Sequence, residues 1–299
     1  MKPLIYLSAL LILISSCTLN QKNKDLETGF VEVNGANLWY EVIGNGEPIV
    51  FIHGNFGDHR HWDFQVEPLS DNYKVIRYDV RGYGKSSFPD SIQTYRDCDD
   101  LKAILDYLAI KEAHVCGVSM GSGIAIDFVL EYPEYCKSVI PIGPWASGYG
   151  GGKYRTEASD SMFYIMRKTT GVLSTEGPKA ATDYWWTGDH EIKNTVIEER
   201  TLDSLLRMGY EYSWWGFLNR TGQIAISPAG VERLSEIAVP TLIITAEYDI
   251  QACKEIAELM HKEIRNSEVV SIEEAGHLMN MDNPEEFNKV ISEFISNKE

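Results

Sequence analysis

Basic residues are scarce in this sequence. The 299-residue chain carries 27 Lys and Arg against 44 Asp and Glu, a formal charge of -17. A surface of that sign repels phosphate backbones, which excludes nucleic acid as a partner. Cysteine is scarce too. Five residues with no C-x-x-C and no pairing pattern exclude a disulfide-built scaffold. The 11 prolines and 24 glycines follow no period and form no low-complexity tract, so collagen-like and disordered classes fall away. Long apolar runs are absent except for one block at the very start. What remains, 44% hydrophobic and 24% charged, is an ordinary globular mixture.

The starting block is informative. Lys2 gives a basic opening, and Leu4 to Ile14 is an apolar run broken only by Ser8. As a helix it extends about 16 Å, half the thickness of a bilayer core, so it is too short to span. A basic start, a short apolar core and small residues after it read as an export signal. The junction Ile14-Ser15-Ser16-Cys17 resembles the bacterial lipobox, whose cysteine receives lipid and becomes the new N-terminus. An ordinary signal peptide with an incidental cysteine is the alternative. Two or more acyl chains on Cys17 suffice for stable anchoring. Thr18 to Gly29 is polar and turn-rich, a flexible tether. The expectation is an extracytoplasmic, membrane-anchored protein whose other cysteines, Cys98, Cys116, Cys136 and Cys253, are structural rather than reactive.

Beyond the tether, β-like runs alternate with helical stretches, which predicts an α/β fold with a mostly parallel sheet. Residues 30–33 and 37–43, split by Asn34-Gly35, read as an opening hairpin. Further strands are expected at 49–52, 75–78, 115–118, 138–142, 241–246 and 269–272, eight in all, with helices over 95–108, 124–130, 252–264 and 285–295. From Trp145 to Ser235 there is no good strand, only helical tone crowded with aromatics, after a Gly- and Pro-rich hinge. The expected organisation is a signal peptide (1–16), a tether (17–29), a core (30–144 and 236–299) and an inserted helical cap (145–235). Whether the cap's aromatics pack the lid or touch a substrate stays open, with packing favoured.

Gly117-Val118-Ser119-Met120-Gly121 is a G-x-S-x-G pentapeptide placed after a strand and before a helix. That context makes it a nucleophile elbow, in which glycines admit the close-packed turn that thrusts the serine hydroxyl outward. A phosphate-binding glycine turn would need a Lys or a G-x-G-x-x-G pattern, neither of which is present here. With FIHGN (51–55), YDVRGYGKSS (78–87), TAEYD (245–249) and EAGH (274–277), the chain resembles the α/β-hydrolase superfamily. The likeness is to its esterase- and lipase-like group, with a helical cap between the sixth and seventh core strands.

The resemblance implies a serine nucleophile, an acid and a histidine in that chain order. Ser119 takes the first role and His277, in the Ala-Gly-His turn after the last strand, the base. Asp249, 28 residues before His277, is the orienting acid, with Glu247 its nearest rival. The backbone N–H groups of Asn55 and Met120 form the oxyanion hole. Among the other histidines, His53 shapes the oxyanion loop, while His59 and His61 form a conceivable metal pair without a third ligand. His114, His190 and His261 read as solvated. Asp79 and Arg81 read as structural. No cofactor and no metal is expected, and the substrate is a small molecule with an ester or related acyl bond. Lactonase, C–C bond hydrolase, or a ligand-binding protein on the same scaffold are the alternatives.

Overall fold

The computed structural model describes residues 26–88, 94–218 and 222–297. The signal segment and Cys17 lie outside the described residues. Among those described, no helix is long and apolar enough to cross a membrane.

The chain opens with strands β1 (Leu26–Val33) and β2 (Ala36–Ile43). Asn34 and Gly35 between them take φ of 45° and 72°, the left-handed pair that matches the twist of a tight hairpin. Then follow β3 (Glu47–Ile52), helix α1 (Asp63–Leu69), β4 (Tyr73–Tyr78), α2 (Asp97–Tyr107), β5 (Ala113–Val118), α3 (Met120–Glu131) and β6 (Cys136–Ile142). Between β6 and β7 (Thr241–Tyr248) lies the helical insertion. Its elements are α4 (Glu157–Glu176), α5 (Pro178–Thr187), α6 (Glu199–Glu211) and the short α7 (Trp215–Leu218) and α8 (Gly230–Arg233). The chain closes with α9 (Gln251–Glu263), β8 (Ser267–Gly276), α10 (Met279–Asp282) and α11 (Pro284–Ser296).

The eight strands form one sheet in the order β1-β2-β4-β3-β5-β6-β7-β8. Only β1–β2 and β2–β4 pair antiparallel; the rest are parallel. Burial follows position. The central strand β5 is buried at all six residues, as a parallel strand covered on both faces must be, whereas the edge strand β1 is largely exposed over its first half. From β3 the chain steps to β4 on one side and to β5 on the other. That reversal opens a crevice at the carboxyl ends of β3 and β5, the place where open α/β sheets bind ligands. The HGN turn leaves β3 there, and Ser119 leaves β5.

Three sequence expectations need correction. Strand β1 starts at Leu26 and pairs with β2 from there, so residues 26–29 belong to the sheet and not to the tether. Helix α1 was not anticipated, because its seven residues bury only Gln65 and Leu69 and carry Pro68 inside, too little apolar periodicity to register. His114 is not solvated. It sits in β5 at 3% exposure, bonds through Nδ1 with Ser138 Oγ at 2.7 Å, and burial lowers its pKa. Its charged flank, Lys111-Glu112, lies outside the sheet, and β5 begins immediately after it at Ala113. His190 is also partly covered, with Nε2 2.8 Å from the Tyr184 carbonyl oxygen, whereas His261 is exposed as expected. The four cysteines in the described residues are free and buried. Burial raises every one of their thiol pKa values, Cys98 to about 12, so they stay protonated.

Candidate active site

Ser119 stands between β5 and α3 with φ 55° and ψ -114°, a strained conformation for a residue with a Cβ. The flanking glycines explain how the chain tolerates it. A Cβ on Gly117 would lie 2.1 Å from the Gly121 carbonyl oxygen, and one on Gly121 would lie 2.2 Å from that of Ile52. The first turn of α3 is therefore clamped between β5 and β3. The Ser119 amide donates to the Ile142 carbonyl at 2.8 Å, which ties the elbow to the end of β6.

His277 lies just beyond β8, 4% exposed. Its Nδ1 is 2.7 Å from Asp249 Oδ1 in the loop after β7, and its backbone N–H donates to the Thr195 carbonyl at 2.7 Å. Gly143, the residue after β6, has φ 47°, and a Cβ there would meet the His277 ring at 2.9 Å. The elbow and the imidazole thus converge on the same point at the end of β6. Glu247, the rival acid, is exposed and accepts instead from the Glu274 amide. Asp282 secures the histidine loop from below: its carboxylate accepts from Gly276, Ile197 and Glu198 amides. No local sequence signal marks that role.

A cavity of about 340 Å³ opens in front of Ser119 and is also lined by Asn55 and Met120. Cys253 lines it as well, and its sulfur lies within 4.8 Å of the ligand atoms of Asp249 and His277. The Asn55 side chain is oriented by Tyr83, whose hydroxyl donates to Oδ1 at 2.8 Å. Next to it, Phe56 takes φ 62° and is held there by aromatic rings of the insertion: Trp185 at 4.5 Å, Trp214 at 4.8 Å and Phe217 at 5.1 Å between centroids. The aromatic segment thus divides its work. Trp185, Trp214 and Phe217 clamp the loop after β3, while Phe163 lines the cavity with Trp145.

The remaining candidates are structural. His53 Nδ1 lies 2.8 Å from the Gly54 carbonyl and Nε2 accepts from the Val80 amide at 3.0 Å. Burial lowers its pKa and keeps it neutral. His59 and His61 do not face one another as a metal pair. His59 Nδ1 lies 2.8 Å from Asp79 Oδ1, whereas His61 Nδ1 accepts from the Gly54 amide at 3.2 Å. Asp79 is fully buried and also accepts from the His59 and Lys85 amides. Arg81 pairs with Asp100 at 2.6 Å and reaches the Val33 carbonyl, holding the loop after β4 to the opening hairpin. Two groups bring three possible metal donors together, Asp58 with His59 and Asp79, and Asp249 with Cys253 and His277. In the first, the carboxylates are already engaged by Arg60 and by His59. In the second, Asp249 Oδ1 and His277 Nδ1 are already engaged with each other.

His61 makes a measurable contribution to the pH response. Burial is the main cause that lowers its pKa to about 3, with His53 and His277 nearby adding to it. The folded ring therefore stays neutral at pH 5, while an unfolded histidine, with pKa about 6.5, takes up a proton. Stability is lost as pH falls through 6.5, by about 2 kcal/mol for this one group between pH 7 and 5. Urea titrations at the two pH values should show a wild-type loss that shrinks by that amount in His61→Gln. An unchanged loss would mean the ring is protonated in the fold.

The sheet order, the strained serine at the carboxyl end of β5 and the buried histidine–carboxylate pair together define an α/β-hydrolase. Comparison with known proteins agrees. The model of the alpha/beta hydrolase fold matches residues 47–284, and the chain belongs to that family. It is 28% identical over 275 residues to a 3-oxoadipate enol-lactonase of Acinetobacter baylyi, covering 91% of this chain and 95% of that protein. The structure of the enol-lactonase from Burkholderia xenovorans aligns with a TM-score of 0.72 at 23% identity, over 90% of this chain and 100% of that one. A thermophilic esterase from Thermogutta terrifontis aligns with a TM-score of 0.70 at 23% identity, over 90% and 99%. At those identities the structural likeness speaks for the fold.

Proposed function

We propose that this chain is a serine hydrolase that cleaves a carboxylic ester bond, a lactone ring included, in a small and largely apolar substrate. The observation that carries the reading is the opening of the cavity onto Ser119, with the His277–Asp249 pair 2.7 Å apart beside it. Ser119 Oγ attacks the acyl carbonyl as His277 Nε2 takes its proton, and Asp249 holds the imidazolium through Nδ1. Negative charge develops on the carbonyl oxygen, where the N–H groups of Met120 and Asn55 stabilise it. Collapse of the adduct expels the alkoxide, which leaves with the proton from His277. Water then attacks the acyl-enzyme by the same route reversed and frees the acid. In a lactone the expelled alkoxide stays tethered to the acyl group, so the same machinery opens the ring. The Acinetobacter baylyi relative is named as an enol-lactonase, which supports including lactones. A panel of aryl esters and lactones tests the reading. Multiple turnover of at least one member is expected, and a single stoichiometric acylation with no turnover would favour a ligand-binding role.

We also propose that the protein is exported and anchored through lipid on Cys17, with residues 18–25, which end where β1 begins, as tether and residues 145–235 as cap. The support is the short apolar block and the Ile14-Ser15-Ser16-Cys17 junction. In cells fed a clickable palmitate analogue, wild type should take up label and Cys17→Ala should not. Unlabelled wild-type protein would remove the anchor from the account.

A further inference from the structure

The cavity has a polar far end that ester cleavage alone does not use. Asp127 lies on α3 eight residues after Ser119, about 12 Å along the helix axis, and lines the same cavity. Ser147, also in the lining, donates its hydroxyl to Asp127 Oδ1 at 2.7 Å and accepts from the Gly230 amide at 2.7 Å. Among the described residues, Asp127 Oδ2 accepts no hydrogen bond. Among the described residues, the cations close by are committed elsewhere. Arg96 binds Asp99 and Glu131, and Arg233 binds Glu131 and Glu236. Asp97 adds a second acid to the lining and is engaged by the Gln223 amide group. The far end of a mostly apolar cavity therefore presents a carboxylate with one oxygen oriented and the other without a partner among the described residues.

We propose that Asp127 is the specificity-determining residue of this cavity, selecting esters or lactones that carry an ammonium group on the order of 10 Å from the scissile carbonyl. A carboxylate at that position meets like charge and is disfavoured. The inference rests on the ester-hydrolase reading and adds the substrate's charge to it.

Burial pushes the Asp127 carboxyl up to about 6 against the Ser147 hydrogen bond. Glu131 adds to the rise, and Arg233 and Arg96 oppose it. The group is then neutral at pH 5 and charged at pH 7.5, whereas an alkylammonium is charged at both. The test uses aryl esters of ω-aminooctanoate, nonanoate and the nonanedioate half-ester, with a second set carrying the same groups in the alcohol. Taking kcat/KM as a ratio of ammonium to methyl cancels the titration of the shared machinery. In at least one set, that ratio should rise about tenfold between pH 5 and 7.5, the worth of a charge-assisted hydrogen bond. The carboxylate ester should lose ground over the same range. In Asp127→Asn the ratio should not move with pH. If that variant fails to fold, the wild-type pH series decides alone. A ratio flat with pH in wild type, or one that climbs equally in the variant, overturns the selection while leaving the hydrolase intact. A chain that turns over none of these esters overturns this inference, and one that also turns over no lactone overturns the hydrolase reading with it.

Discussion

Ser119→Ala should lower kcat on any ester that wild type turns over by about four to six orders of magnitude, with the fold intact. The size follows from what is removed. Without Oγ no acyl-enzyme forms, and only positioning and the oxyanion donors remain to assist a water. The fold should survive because alanine keeps the Cβ that the elbow already accommodates, and the backbone bonds of residue 119, to the Ile142 carbonyl and from the Ser122 amide, do not involve the hydroxyl. Circular dichroism and a melting curve that match wild type, beside the lost rate, would complete the result. A variant that kept more than about a hundredth of the activity would point to another nucleophile.

Gly117→Ala should have the opposite signature, losing the structure along with the rate. The new Cβ would sit 2.1 Å from the Gly121 carbonyl oxygen and 2.3 Å from its carbon, both backbone atoms that no rotamer change can move. Relief would require α3 to withdraw from β5, yet Gly121 is itself wedged against the Ile52 carbonyl. Overpacking against fixed backbone costs about 3 kcal/mol or more. Gly123→Ala is the control in the same helix. Its Cβ would meet only Trp145 atoms at 3.9 Å, ordinary contact, and an alanine in a helix there should hold or raise stability by up to about 1 kcal/mol. Denaturant midpoints of the pair should therefore separate widely. Equal midpoints would mean that the elbow is looser than these contacts imply.

The parts of this protein that could be read from its sequence are those with local signals. Strand alternation gave eight strands, and the parallel sheet followed from the helices between them. The elbow, the Ala-Gly-His turn and the acid after β7 each carry a signature within a few residues, and the structure places His277 and Asp249 in contact. What escaped depends on contacts far apart in the chain. Asp127 reads as one polar residue in a buried helix until Ser147, from the loop after β6, turns to it. Phe56 looks like any residue after a turn, but its backbone is held at φ 62° by rings from more than a hundred residues later. His114 shows the converse error, since a charged flank says nothing about a strand that starts one residue on.

Covalent labelling of Ser119 tests the central claim most directly. Wild-type protein treated with a fluorophosphonate and digested should yield one modified peptide, carrying the adduct on Ser119. Ser119→Ala should take up none, and His277→Ala should label far more slowly, because the proton acceptor is gone. No adduct on folded wild type, or an adduct on a different residue, would contradict the account.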